Sequence, residues 1–326
     1  MKIVAVFIVL SFALLSCQKT TEATDEGYID IGNNLKLYYQ KIGNGKQKII
    51  VPLAYWMYPD FRHLAEGADR TMVFYDVRGR FRSSPVSDST LITHEEEVED
   101  IERIRKHFNF ERVSLIGESY TGRVVVLYGL KYPDRVERIV QIGSIPIAYR
   151  DDYPDSLTEK STNVDSTAYA SLEERYKAGE HTTNPRKFSE DYWRINSRVN
   201  LVADTTFLSR LGPQWGSHLQ YEVEWFPNFM RHLGFHFQSY QNQKFTVNDL
   251  RKITAPVLTI CGAKDRNVPF GASKEYATYL PEARLLRVPN AAHIPWIENP
   301  ELVFNSIDTF LNGNWPVEAV DVRMKE

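Results

Sequence analysis

A chain of 326 residues with 43% hydrophobic and 13% aromatic residues can bury a large core, which excludes an intrinsically disordered protein. The formal charge of -3 arises from 39 basic and 42 acidic residues interspersed along the chain. No polybasic groove is suggested, so nucleic acid is not an expected partner.

The first segment, MKIVAVFIVLSFALLSC, has Lys2 followed by an apolar run from Ile3 to Leu15. That run is short for a bilayer span and suits the hydrophobic region of a secretory signal. Its end, Leu14-Leu15-Ser16-Cys17, resembles a bacterial lipobox. The resemblance implies a lipoprotein signal peptide over 1–16, a lipidated Cys17, a tether over 17–27 and a membrane-anchored place in the bacterial cell envelope. Cys261, the other cysteine, lies in the apolar run VLTIC and reads as a small buried residue, so no disulfide is expected.

From Tyr28, the β-rich runs YIDI, LKLYYQKI and KIIVPL, separated by GNN and GNGK, predict an antiparallel meander. Strands then alternate with helices. TMVFYDV (71–77) reads as a strand, and THEEEVEDIERIRKHF as a helix with Thr93 and Glu96 as a capping box and a buried stripe of Val98, Ile101, Ile104 and Phe108. RVSLIG and RIVQIG read as strands flanking the helical YTGRVVVLYGLKYP. Between about Ala148 and Leu250 the text turns polar and aromatic-rich, with helical pieces such as NPRKFSEDYWRINSRV. The alternation resumes with PVLTICG, GASKEYATYL, ARLLRVP and a last helix from Pro300. The fold class is therefore α/β: a mostly parallel sheet with helices on both faces, built from 28–147 and 251–326, with a helical cap over 148–250.

In LIGESYTG, Ser119 sits where a strand turns sharply into a helix, which pushes its side chain outward at the carboxyl end of the sheet. Such a turn needs small neighbours; Gly117 supplies one, Thr121 crowds the other, and Gly122 follows. A serine nucleophile requires a histidine base and an acid to orient it. His293, in the loop VPNAAHIPWIENP after the last strand, and Asp265, in CGAKDRNVP, both leave carboxyl strand ends, as Ser119 does. His232 and His236 in RHLGFH have a spacing that could grip a metal, but no acidic third ligand is near in sequence; they read as cap lining, and no metal or cofactor is implied.

These motifs together resemble the α/β-hydrolase family: GES at 117–119 for the nucleophile elbow, GAKDRNVP at 262–269 for the acid loop and AAHIPWIENP at 291–300 for the histidine loop. DVRGRFRSS at 76–84 looks like the family's DxRGxGxS loop, with Phe81 replacing its second glycine. The resemblance implies Ser119 as nucleophile, His293 as base and Asp265 as orienting acid. The family often carries a His-Gly pair after the third strand; here Pro52 and Leu53 stand there, and the alignment points to the backbone N–H groups of Ala54 and Tyr120 as oxyanion donors.

The long cap and the PWIENP ending look like the proline iminopeptidase branch, which binds a free amino group through acidic cap residues. Glu222 and Glu224 in YEVEW are the candidates, with Trp225 as a further substrate-binding residue, although the family's HGGPG and GGSWG forms are missing. Glu118 is a further candidate, because GESY resembles serine carboxypeptidases. The expected substrate is a small molecule or short peptide with an ester or amide bond. The alternatives are a proline iminopeptidase-like aminopeptidase and an inactive, lipid-anchored binding protein.

Overall fold

The computed structural model describes residues 25–148 and 166–323. The strands are β1 (Asp25–Gly32), β2 (Leu35–Ile42), β3 (Gln47–Pro52), β4 (Arg70–Tyr75), β5 (Val113–Glu118), β6 (Val136–Ile142), β7 (Val257–Gly262) and β8 (Ala283–Val288). They form one sheet in the order β1-β2-β4-β3-β5-β6-β7-β8. The pairs β1/β2 and β2/β4 are antiparallel, and every other pair is parallel. The longer helices are α1 (Ala54–Phe61), α2 (His94–His107), α3 (Tyr120–Lys131), α4 (Ser166–Lys177), α5 (Pro185–Asn196), α6 (Phe226–Asn242), α7 (Phe270–Tyr279) and α8 (Pro300–Leu311).

Parallel neighbours need crossovers, and α1, α2, α3 and α7 supply them. Ile49, Ile50 and Val51 of β3 and Leu115 and Ile116 of β5 are fully buried, as expected of strands covered on both faces. This burial corrects the predicted meander. β3 has no ladder with β2, because β4 lies between them; only β1 and β2 pair as a hairpin, with β4 antiparallel to β2. A run buried on both sides belongs inside the sheet, whereas β1 exposes alternate residues and sits at the edge.

The capping box of α2 is only half formed. Thr93 Oγ1 accepts the Glu96 N–H at 3.2 Å, but the Glu96 carboxylate turns to Arg78 at 3.1 Å and to Arg103 at 3.4 Å. A nearby guanidinium outcompetes a single backbone N–H.

Among its described residues, the segment between β6 and β7 contains helices joined by short loops and no strand. α4, α5 and the helical turn Ser197–Leu201 that follows share a small core of Leu172, Phe188, Ile195 and Val199, separate from the main one. Polar links tie this cap to the sheet domain. Tyr55 Oη lies 2.8 Å from Ser217 Oγ, Gln214 Nε2 donates to Asp60 at 2.9 Å and Tyr240 Oη donates to the Pro146 carbonyl at 3.1 Å. The cap therefore sits over the carboxyl ends of the strands, where the predicted site residues gather. Cys17 and tether residues 18–24 lie outside the described residues, whereas 25–27, expected as the end of the tether, open β1 and pair with β2; Cys261 is buried, and burial pushes its thiol up to about 12.

Candidate active site

Ser119 connects β5 to α3 with φ 54 and ψ -124, a conformation that costs energy for a residue with a Cβ. The surrounding chain enforces it. A Cβ on Gly117 would lie 2.5 Å from the Thr121 carbonyl oxygen, and one on Gly122 would lie 2.8 Å from Ser144 Cβ, so strand and helix approach more closely than larger residues permit. Thr121, the departure from the family pattern, clips the turn instead of opening it. Its hydroxyl donates to the Glu118 carbonyl at 2.7 Å and accepts the Glu118 N–H at 3.0 Å.

His293 and Asp265 meet beside this elbow. Nδ1–H of His293 donates to Asp265 Oδ2 at 2.8 Å, while Asp265 Oδ1 accepts the N–H groups of Asn267 at 2.8 Å and Val268 at 3.0 Å. Gly143, at the end of β6 with φ 54, makes room for the pair, since a Cβ there would stand 3.2 Å from both Asp265 Oδ2 and His293 Nδ1. The histidine loop is held from behind by Glu298, which accepts from Ala292 at 2.6 Å and from Ala203 of the cap at 2.8 Å.

The opposite ring nitrogen has an unforeseen partner. Glu118 Oε1 lies 3.0 Å from His293 Nε2, so the buried imidazole stands between two carboxylates. Burial alone would lower its pKa; Asp265 and then Glu118 outweigh that effect and push it up to about 10. Ser119 Oγ has no hydrogen-bond partner among the described residues. The sequence offered Glu118 only as a substrate contact, because nothing in GESY shows which way its side chain folds back.

The two proposed oxyanion donors occupy equivalent positions. Ala54 opens α1 and Tyr120 opens α3, where the first N–H groups have no acceptor within the helix. Asp76 accepts the Tyr55 N–H at 2.8 Å, and the Leu53 carbonyl accepts those of Trp56 and Met57. The amides of Ala54 and Tyr120 remain without an acceptor among the described residues. Leu53, standing at the family's glycine, takes φ 62, and Phe81, also at a glycine position, takes φ 47. Both non-glycine residues adopt the left-handed backbone that the glycines would allow.

A cavity of about 580 Å³ separates cap from sheet and contains Glu118, Ser119, Tyr120 and His293 in its wall. Aromatic side chains Trp56, Trp193, Trp215 and Phe229 line much of the rest, the composition of a pocket for a small, largely apolar ligand. His232 and His236 face it with ring centroids 4.6 Å apart; among the described residues no group of three His, Cys, Asp or Glu side chains could hold a metal ion.

The predicted acidic cap residues are not brought to this cavity. Glu222 is exposed, and the Trp225 indole donates to the Leu219 carbonyl at 2.9 Å. Glu224 is fully buried in a two-pronged pair with Arg80, at 2.7 and 2.6 Å, and also accepts the Phe81 N–H at 3.2 Å. Its carboxylate is saturated by the protein. Arg80 lies 144 residues away in sequence, so no local pattern announced the pair.

Residues 53–300 match the family model described as alpha/beta hydrolase fold. A proline iminopeptidase of Heyndrickxia coagulans is 25% identical over 260 residues, spanning 75% of this chain and 82% of its own length. Among solved structures, the proline iminopeptidase of Mycobacterium smegmatis superposes with a TM-score of 0.65 at 18% identity, covering 88% of this chain and 98% of its own. The 2-hydroxy-6-oxo-6-phenylhexa-2,4-dienoate hydrolase of Rhodococcus sp. strain RHA1 superposes with a TM-score of 0.67 at 19% identity, covering 90% and 99%.

Proposed function

The chain belongs to the α/β-hydrolase fold family, and from that premise we propose that it is a serine hydrolase that cleaves an ester or amide of a small substrate through an acyl-enzyme. The observation that carries this reading is the convergence of Ser119, on its strained turn, with the hydrogen-bonded Asp265–His293 pair at the wall of one cavity.

His293, in its neutral form and oriented by Asp265, takes the proton of Ser119 as the oxygen attacks the carbonyl carbon. The N–H groups of Ala54 and Tyr120 bind the oxygen that becomes negative, and their helical positions add the favourable end of two helix dipoles. His293 then returns the proton to the leaving alcohol or amine. Water repeats the attack on the acyl-enzyme.

The identity to a protein named as a proline iminopeptidase supports a second reading, an aminopeptidase. Burial of Glu224 against Arg80 weakens the form of that reading in which Glu224 receives the amino group. A fluorophosphonate probe decides between hydrolase and inactive binding protein: above about pH 10, where His293 is neutral, it labels the wild type and not Ser119→Ala, and a folded wild type that stays unlabelled there ends the hydrolase reading. Comparing p-nitrophenyl esters with aminoacyl-naphthylamides then separates esterase from aminopeptidase. The same proposal places the enzyme on a lipid anchor at Cys17, in the bacterial envelope; palmitate incorporation that survives Cys17→Ala would refute the anchor.

A further inference from the structure

We propose that Glu118 is a positioning residue that withholds the His293 base from Ser119 until a positively charged group of the substrate draws its carboxylate away, so the site selects acyl groups that carry a cation beside the scissile carbonyl. This inference rests on the serine-hydrolase reading. The nitrogen that must face a serine hydroxyl is Nε2, since Nδ1 is committed to Asp265. Nε2 is instead paired with Glu118 Oε1 at 3.0 Å, and Ser119 Oγ has no hydrogen-bond partner among the described residues. A base in this arrangement holds a proton and cannot accept another.

Charge explains what would release it. The charged groups facing His293 are Asp265, from the loop after β7, and Glu118, from the end of β5. Gly143 presents bare backbone from β6, and the neighbours in the histidine loop, Ala292 and Ile294, are apolar. Two carboxylates against one imidazolium leave a net negative charge beside the nucleophile. Arg80, which also lines the cavity, is neutralised by Glu224. The Glu118 backbone is fixed by Thr121 and by the β6 ladder at Ile142, while its carboxylate makes no other hydrogen bond or ion pair among the described residues. A substrate ammonium supplies the missing cation. As it pairs with Glu118, the imidazolium loses one of its two supporting charges, releases the Nε2 proton to solvent, and offers the freed lone pair to Ser119.

The test compares ethyl alaninate with ethyl propionate, which differ by the ammonium group, in a pH-stat near pH 6.5, about one unit below an α-amino pKa. The full chain is used as wild type, Glu118→Gln and Glu118→Asp. In Glu118→Gln the acid limb of kcat/KM for ethyl propionate moves down by about one to two pH units. Its rate near pH 6.5 rises about tenfold, and the preference for alaninate falls at least about tenfold, a change of about 1.4 kcal/mol. Glu118→Asp keeps the charge and holds the limb near its wild-type position. The proposal is overturned if the Glu118→Gln profile superposes on the wild type, if the substrate preference is unchanged, or if the Asp and Gln variants shift alike. Fluorophosphonate labelling of both wild type and Glu118→Gln at Ser119 keeps the hydrolase reading alive even then; labelling of neither ends both.

Discussion

The strand-end loops and the cap are fixed around the same cavity by opposite means. At the strand ends the backbone dictates geometry: Ser119 is forced outward, Gly143 yields space, and Asp265 is fixed by two N–H groups before it meets His293. In the cap, long side chains do this work, chiefly the buried Glu224 carboxylate reaching Arg80 on the sheet domain. Backbone geometry follows from local sequence, whereas a pairing across 144 residues depends on how two units come together. The lesson is that the geometry of each strand-end loop is local, whereas the docking of the cap on the sheet domain is not.

Substitutions can break that contrast. The largest effect belongs to the strand-end loops. Asp265→Asn preserves shape but presents the wrong tautomer to His293, so kcat falls by about 10⁴ while the melting temperature moves little. A loss below about tenfold would show that the loop does not orient a base.

Next is the cap link. Glu224→Ala leaves the Arg80 guanidinium buried and unpaired, costing about 3–5 kcal/mol in denaturant unfolding. Replacing Glu224 and Arg80 together by Met recovers much of that loss. If the single variant is as stable as the wild type, the pair is not the link between cap and sheet.

The pH dependence of stability separates the two regions by sign. His293 has its pKa raised to about 10 against an unfolded value near 6.5, so its contribution, on the order of a few kcal/mol, is complete below about 6.5 and lost as pH rises through about 10. The difference in melting temperature between wild type and His293→Gln therefore shrinks across that window. The cap histidines behave in reverse. Burial lowers His218 to about 4 and His232 well below its usual value, so stability that depends on their neutrality is lost as pH falls from about 6.5. Alkali loosens the site and acid loosens the cap; unfolding profiles that fail to steepen on both sides would contradict this assignment.

The smallest effect tests the elbow. Thr121→Val keeps the β-branch but removes both hydrogen bonds to Glu118, costing about 1–2 kcal/mol. Thermal denaturation measures it, and a neutral result would mean that Gly117 and Gly122 alone shape the turn.

How far the sequence reached can be judged element by element. The spacing in THEEEVEDIERIRKHF determined the buried face of α2, and the apolar runs VSLIG and VLTIC determined central strands, because side-chain periodicity and burial are properties of short segments. Ser119, Asp265 and His293 were legible because each follows a strand, and the carboxyl ends of parallel strands lie on one edge. Three things waited for the tertiary structure. The sheet order, with β4 between β2 and β3, depends on which strands can be covered on both faces. The diversion of Glu224 into a buried pair depends on desolvation, which favours the nearest guanidinium over solvent or ligand. The contact between Glu118 and His293 depends on a side-chain direction that only the assembled loops define. Local geometry is encoded in neighbouring residues, but the choice among possible charge partners is made when the chain packs and water is excluded.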